Sequence, residues 1–175
     1  MRMLSLRRKS FAGIAALTLM AAAAAAQTAG NTNSAAALVV KGSVKQELRL
    51  TLAELKAMPR TKVTAKGHDG STHEYEGVTL VSLLGKAGAP QTGDLRGKNM
   101  TLCVVAEGSD GYRAAFSLAE LDADFAAESV VVADTVDGKD LGTDQGPLRL
   151  VVPSDKRQGR WVRLLKVLTV ANAGT

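Results

Sequence analysis

The chain has 175 residues, enough for one domain with a substantial buried core. Lys and Arg number 22 against 17 Asp and Glu, yet the first 26 residues carry four of the basic residues and no acidic one, so that without them 18 face 17. That near-neutral balance gives no argument for nucleic acid or an anionic membrane as a partner. Cys103 is the single cysteine, which excludes an internal disulfide and leaves stability to packing.

Arg2, Arg7, Arg8 and Lys9 form a positive n-region, Phe11 to Met20 an apolar h-region, and an alanine run ends at Ala26 before Gln27. The pattern is that of a secretory signal over residues 1–26, and the expected location is periplasmic or secreted. The apolar run is too short and too alanine-rich for a permanent anchor, so no membrane span is expected after cleavage. Arg7-Arg8 admits twin-arginine export, although Phe11 sits one place later than that signal prefers; an ordinary n-region containing Arg-Arg-Lys explains the pair as well. Residues 27–36 are small and polar and read as a flexible leader, 37–171 as the domain, and 172–175 as a tail.

LVVKGSV and KQELRLTL read as two short strands joined around Gly42 and Ser43. Thr51-Leu-Ala-Glu54 is a capping box that opens a brief helix, ended by Pro59. TKVTAKGH and THEYEGV form a hairpin around Asp69-Gly70. Thr79 then caps a helix with the apolar face Leu80, Leu83 and Leu84, stopped by Gly88. APQTGDLRGKN is a loop, and MTLCVVAE is a continuous apolar run expected as a central strand covered on both faces.

The turn Ser109-Asp110-Gly111 leads into YRAAFS, and Ser117-Leu-Ala-Glu120 is a second capping box. SVVVAD is expected to pair with the segment after Asp137-Gly138. Gly146-Pro147 introduces the strand LRLVVP, which Pro153 ends, and RWVRLLKVLTV reads as a final strand running from an exposed end into the sheet. The predicted fold class is α+β, mostly strand, with three short helices.

Three stretches, TLCVVAEGSDGYRAAFSLAEL, VVVADTVDGKDL and GPLRLVVPSDKRQGRWVRLLKVLTV, together with the GVTLVSLLGKAG helix, resemble the oxidoreductase molybdopterin-binding domain of the sulfite oxidase family. The resemblance runs from about Leu38 to Val170 and implies the sulfite oxidase-type fold, molybdopterin as cofactor and oxidoreductase activity. It also implies a single protein thiolate on molybdenum, from a cysteine on the strand before the GVTL helix. Judged by the distance to Gly77, that position falls near Ala65, and the strand holds no cysteine. A soft thiolate suits this metal and nitrogen or oxygen side chains replace it poorly, so molybdenum is doubtful. Cys103 lies on a different strand and reads as a small buried hydrophobe, or as a displaced metal ligand or redox thiol.

By the same resemblance, Asp110, Tyr112 and Arg113 edge the substrate pocket, while Lys156, Arg157, Arg160 and Arg163 form a basic loop facing the cofactor phosphate. Read from the residues alone, the first group is a β-turn with a packed tyrosine and the second a solvated charge run. His68 and His73 flank the hairpin turn and are weak metal candidates, with Asp69, Glu74 and Glu76 the only further ligands nearby. No P-loop, dinucleotide turn, nucleophile elbow or zinc motif is present, and no spacing suggests a Ser/His/Asp hydrolase. Two functions stay open. One is an exported domain with a degenerate metal site that binds a small anion, a pterin-type ligand or a partner protein. The other is a molybdopterin-dependent oxidoreductase served by a separate redox partner.

Overall fold

The computed structural model describes residues 36–125 and 129–174, all within one compact unit, Asn33–Thr175. The expected signal over 1–26, and the expected leader except its last residue, lie outside the described residues. β1 (Leu38–Gly42) and β2 (Leu48–Leu50) pair antiparallel, as their alternation suggests. α1 (Leu52–Lys56) follows with its capping box complete: Glu54 N donates to Thr51 Oγ1 at 3.2 Å and Thr51 N to Glu54 Oε2 at 2.8 Å. β3 (Thr61–Lys66) and β4 (Thr72–Thr79) make the hairpin, with Ala65 opposite His73. Thr79 caps α2 (Leu80–Lys86), whose Leu80, Leu83 and Leu84 are buried.

β5 (Leu102–Gly108) and β6 (Arg113–Ser117) form a second hairpin, followed by α3 (Leu118–Leu121) under the Ser117/Glu120 capping box. β7 (Val131–Val136) turns into β8 (Lys139–Asp140) through Asp137 and Gly138. Both turn residues have positive φ, 49° and 74°, as a two-residue turn matched to the strand twist requires. β9 (Arg149–Val151) and β10 (Leu165–Asn172) complete the chain.

These strands make two five-stranded sheets. The first runs β2-β1-β10-β5-β6; the second runs β3-β4-β7-β8, with β9 also paired to β7. The β1–β10 pair is parallel and the others are antiparallel. One buried apolar cluster draws on both sheets and all three helices. The fold is α+β with mixed sheets and few helices, as the sequence indicates.

Two expectations need correction. β5 is not central and covered on both faces: it lies next to the edge strand β6, and Leu102, Val104 and Ala106 are buried while Cys103, Val105 and Glu107 stay half-buried. The central strand is β10, which also starts later than the alternation around Trp161 suggests. A 3-10 turn occupies Gln158–Arg160, and Leu164 takes φ 50°, which breaks the extended run before Leu165.

Two features fix the second sheet. A Cβ on Gly77 would stand 2.0 Å from Val132 O, so only glycine allows β4 to meet β7 at the register shift there. Arg60 grips the buried Asp134 with two hydrogen bonds, Nη1 to Oδ2 at 2.6 Å and Nη2 to Oδ1 at 2.7 Å, while its Nε reaches Glu76 at 3.2 Å. Burial alone would raise the pKa of Asp134; the bonds from Arg60 and Thr135 outweigh it and hold the carboxyl below its ordinary range.

Candidate functional site

A cleft of about 1530 Å³ opens beside the second sheet, where the β3–β4 hairpin, the Asp110 turn and the 3-10 turn at Gln158–Arg160 converge. Drug-sized pockets span about 300–1,000 Å³, so this one has room for a ligand of cofactor size. Ala65 sits in its wall, 6% exposed, and offers only a methyl group. Cys103 lies on β5 in the other sheet and does not line the cleft.

Of the residues expected at a pocket edge, Asp110 and Tyr112 line the cleft. Asp110 Oδ1 accepts from Tyr112 N at 3.0 Å, which shapes the turn around Gly111. The Tyr112 hydroxyl then donates to Gly159 O, strapping this turn to the basic loop across the cleft. Arg113 points elsewhere: it pairs with Glu107 at 2.9 Å and does not line the cleft.

Within the basic loop, Lys156, Arg157 and Arg163 line the cleft and form no ion pair among the described residues. Arg160 has a different task. Its guanidinium holds Asp155 through Nη2 at 2.6 Å and Nε at 3.0 Å, meets Glu120 at 3.2 Å, and lies over the Phe116 ring at 4.8 Å. The bonds to Asp155 and then to Glu120 keep it firmly protonated against the pull of burial. Arg160 therefore fixes the loop to α3 and β6, and stays out of the cleft wall.

His68 and His73 both line the cleft, but no group of three or more His, Cys, Asp and Glu among the described residues could hold a metal ion. His73 belongs to a hydrogen-bonded cluster that spacing along the chain does not disclose. Ser71 Oγ lies 2.6 Å from His73 Nε2, and His73 Nδ1 lies 2.6 Å from Asp137 Oδ2. These are the distances of a nucleophile, a base and an orienting acid. The protons are distributed otherwise. The one hydroxyl proton of Ser71 goes to Asp69, whose carboxylate oxygens both stand at 2.7 Å. Ser71 Oγ can then only accept from His73, and Asp137 also only accepts, so both ring nitrogens carry protons. The bond to Asp137 is the main cause that raises the His73 pKa above 6.5, and it lowers that of Asp137 in turn. A serine whose proton is committed, beside an imidazolium, is no nucleophile. The cluster ties the β3–β4 turn to the β7–β8 turn.

Sequence reading overlooked Arg149. It starts β9, lies in the cleft wall, and is only 7% exposed. Nη1 donates to Gln145 Oε1 and Nη2 to Gln158 Oε1 at 3.1 Å, both neutral amides, while Nε has no partner. The guanidinium carbon stands 5.0 Å from the centroid of Trp161 and 6.0 Å from that of Tyr75. Gln158 also donates through Nε2 to Lys66 O at 2.6 Å, which joins the basic loop to the end of β3 beside Ala65. Burial pulls the Arg149 pKa down, and no carboxylate touches the guanidinium to offset it. The available signal was one arginine inside the apolar run LRLVV, a residue type almost never buried without a partner.

The family model of the oxidoreductase molybdopterin-binding domain matches residues 25–174. The chain belongs to that family. Among solved structures it is similar to the sulfane dehydrogenase SoxCD from Paracoccus pantotrophus, with a TM-score of 0.59 and 24% identity over 76% of this chain. That match covers 37% of the SoxCD chain, so this member spans little more than a third of that neighbour and the likeness bears on the fold alone. No curated protein matches. In this family member the cleft lies beside Ala65, near which the sequence resemblance locates the family's metal ligand.

Proposed function

We propose that this protein is an exported member of the molybdopterin-binding family whose metal site is degenerate, and that its cleft binds an anionic, pterin-type ligand. The observation that carries this reading is the methyl group of Ala65 in the cleft wall, with the chain's only thiol on the other sheet. The two halves of a molybdenum cofactor fare differently against these residues. The anionic organic half fits: Lys156, Arg157 and Arg163 offer unpaired cations to a phosphate, and Tyr75 and Trp161 offer ring surfaces. The metal half lacks its protein thiolate. In the family, that metal would supply the redox chemistry; here the residues bind and orient.

Location outside the cytoplasm rests on the positive, apolar and small-residue order of residues 1–26. Among the described residues no helix is long and apolar enough to cross a membrane. Partners of the proposed binding module are a small anionic ligand or a separate protein that reads the loaded cleft.

The test is the metal and pterin content of the protein purified from a host that makes molybdenum cofactor, by elemental analysis and by fluorescence of the oxidised pterin. Pterin with little or no molybdenum is the expected result. Near-stoichiometric molybdenum with pterin would overturn the degenerate site and favour the molybdopterin-dependent oxidoreductase. A folded protein that carries neither would remove pterin as the ligand.

A further inference from the structure

Among the described residues, the first sheet is covered by the core on one side only. Leu38, Val40, Val104, Ala106, Leu168 and Val170 turn inward and join the buried apolar cluster. The residues between them point outward, and the strand registers set them in rows across the sheet. Val39, Val167 and Glu107 stand side by side, then Lys41, Thr169 and Val105, then Ala171 and Cys103. A sheet that shows one face to water ordinarily carries polar residues there. Of these outward positions only Lys41 and Glu107 are charged. Val39, Val105 and Val167 are half-buried, and none of them packs on the core cluster.

The charges and the dimensions of this face point to what covers it. Lys41 lies on β1 and Glu107 on β5, the two strands that flank β10, and their signs are opposite. A half-turn about an axis along β10 lays β1 of one copy over β5 of another. Each Lys41, which has no ion pair among the described residues, then meets the strand that carries the other copy's Glu107. Farther out, Arg49 and Arg113 bring their own carboxylates, Glu47 at 2.7 Å and Glu107 at 2.9 Å, so the arginines that approach at the edges are already compensated. Five strands about 4.8 Å apart and three pleats of about 6.8 Å give a face of roughly 480 Å². Two copies would bury about 1,000 Å² together, the low end for a specific interface.

We propose that the outward face of the first sheet is a self-association surface, on which two copies of this chain pack β10 against β10 as a weak two-fold dimer. Val167, Thr169 and Ala171 lie at the axis, where short side chains let the sheets approach closely. Val39 and Val105 leave water on either side of it. The limited area keeps the pair in exchange with free copies, with a Kd on the order of tens of micromolar. The face shares no residue with the cleft, so the pairing stands or falls independently of what the cleft binds.

The test is sedimentation equilibrium of the purified protein from about 5 to 500 µM, where a reversible shift from monomer to dimer mass is expected. Thr169→Arg sets two guanidinium groups together at the axis while pointing away from the core of each copy, and is expected to weaken pairing at least about tenfold. Cys103 supplies a second measurement on the unaltered chain, which serves if that variant fails a circular-dichroism check of folding. Its half-buried thiol lies on the face that pairing covers, so alkylation by excess iodoacetamide should slow several-fold between dilute and concentrated protein. Monomer mass throughout the range would leave the face to a different protein and overturn the proposal. Association untouched by Thr169→Arg, or alkylation independent of protein concentration, would overturn it as well.

Discussion

Replacing Asp134 with Asn tests whether the second sheet depends on its buried ion pair. The substitution keeps the shape and removes the charge that Arg60 holds through bonds of 2.6 and 2.7 Å. Breaking a buried pair by removing one partner costs about 3–5 kcal/mol. Arg60 retains Glu76 at 3.2 Å, and its side chain is 23% exposed, which tempers the loss to about 2–4 kcal/mol. At about 2–4 °C per kcal/mol for a domain of this size, the unfolding midpoint should fall by roughly 4–16 °C. Urea titrations at pH 7 read the free energy directly. The pH dependence carries the sign: Asp134 is more acidic folded than its unfolded value of 3.8, so its contribution is present above that value and is lost as pH falls through the lower, folded one. The gap between wild type and variant should hold from pH 8 to 5 and close in strong acid. A loss under about 1 kcal/mol at pH 7 would refute the assignment of the pair as the main fastener of this sheet.

Two further outcomes follow from the same structure. Gly77→Ala puts a methyl group 2.0 Å from Val132 O, a backbone atom that cannot swing aside, and should cost about 2–3 kcal/mol in a thermal or urea melt. A variant as stable as wild type would show that β4 and β7 separate more easily than their register implies. His73 behaves oppositely to Asp134 with pH. Its folded pKa lies above 6.5, so its contribution is full below the unfolded value and is lost as pH rises through the folded one. The urea midpoints of wild type and His73→Gln should differ most near pH 5.5 and converge in mild alkali; a gap that is constant with pH would remove the imidazolium from the account.

Local features were legible in the sequence because their causes are local. Thr51, Thr79 and Ser117 each hydrogen-bond an amide three residues on, and Asp137-Gly138 forms its turn from its own φ preferences. Strand order was less legible. The apolar run at β5 suggested a central position, yet coverage of each face depends on which strands lie beside it, and β10 took the centre. The site divided the same way. Asp110, Tyr112, Lys156, Arg157 and Arg163 meet at the cleft, whereas Arg113 and Arg160 are held by carboxylates from neighbouring elements. Charge type cannot reveal that difference, since it depends on partners up to 40 positions away. The Ser71–His73–Asp137 cluster was hidden for the same reason: its last member lies 64 positions from the histidine.

β10 sits between β1 and β5, parallel to one and antiparallel to the other. As the chain leaves the ribosome, the first sheet therefore has a gap down its middle until residues 165–172 are made. β1 waits with half of its backbone groups unpaired while more than a hundred residues are added, and β5 waits with one edge bare. Closing that gap joins segments from opposite ends of the domain, a long-range step that ranks among the slow events of folding. An open strand edge is also a surface that chaperones or other nascent chains can occupy. The moment of greatest exposure for this protein is thus built into its strand order, and it ends only when the last strand arrives.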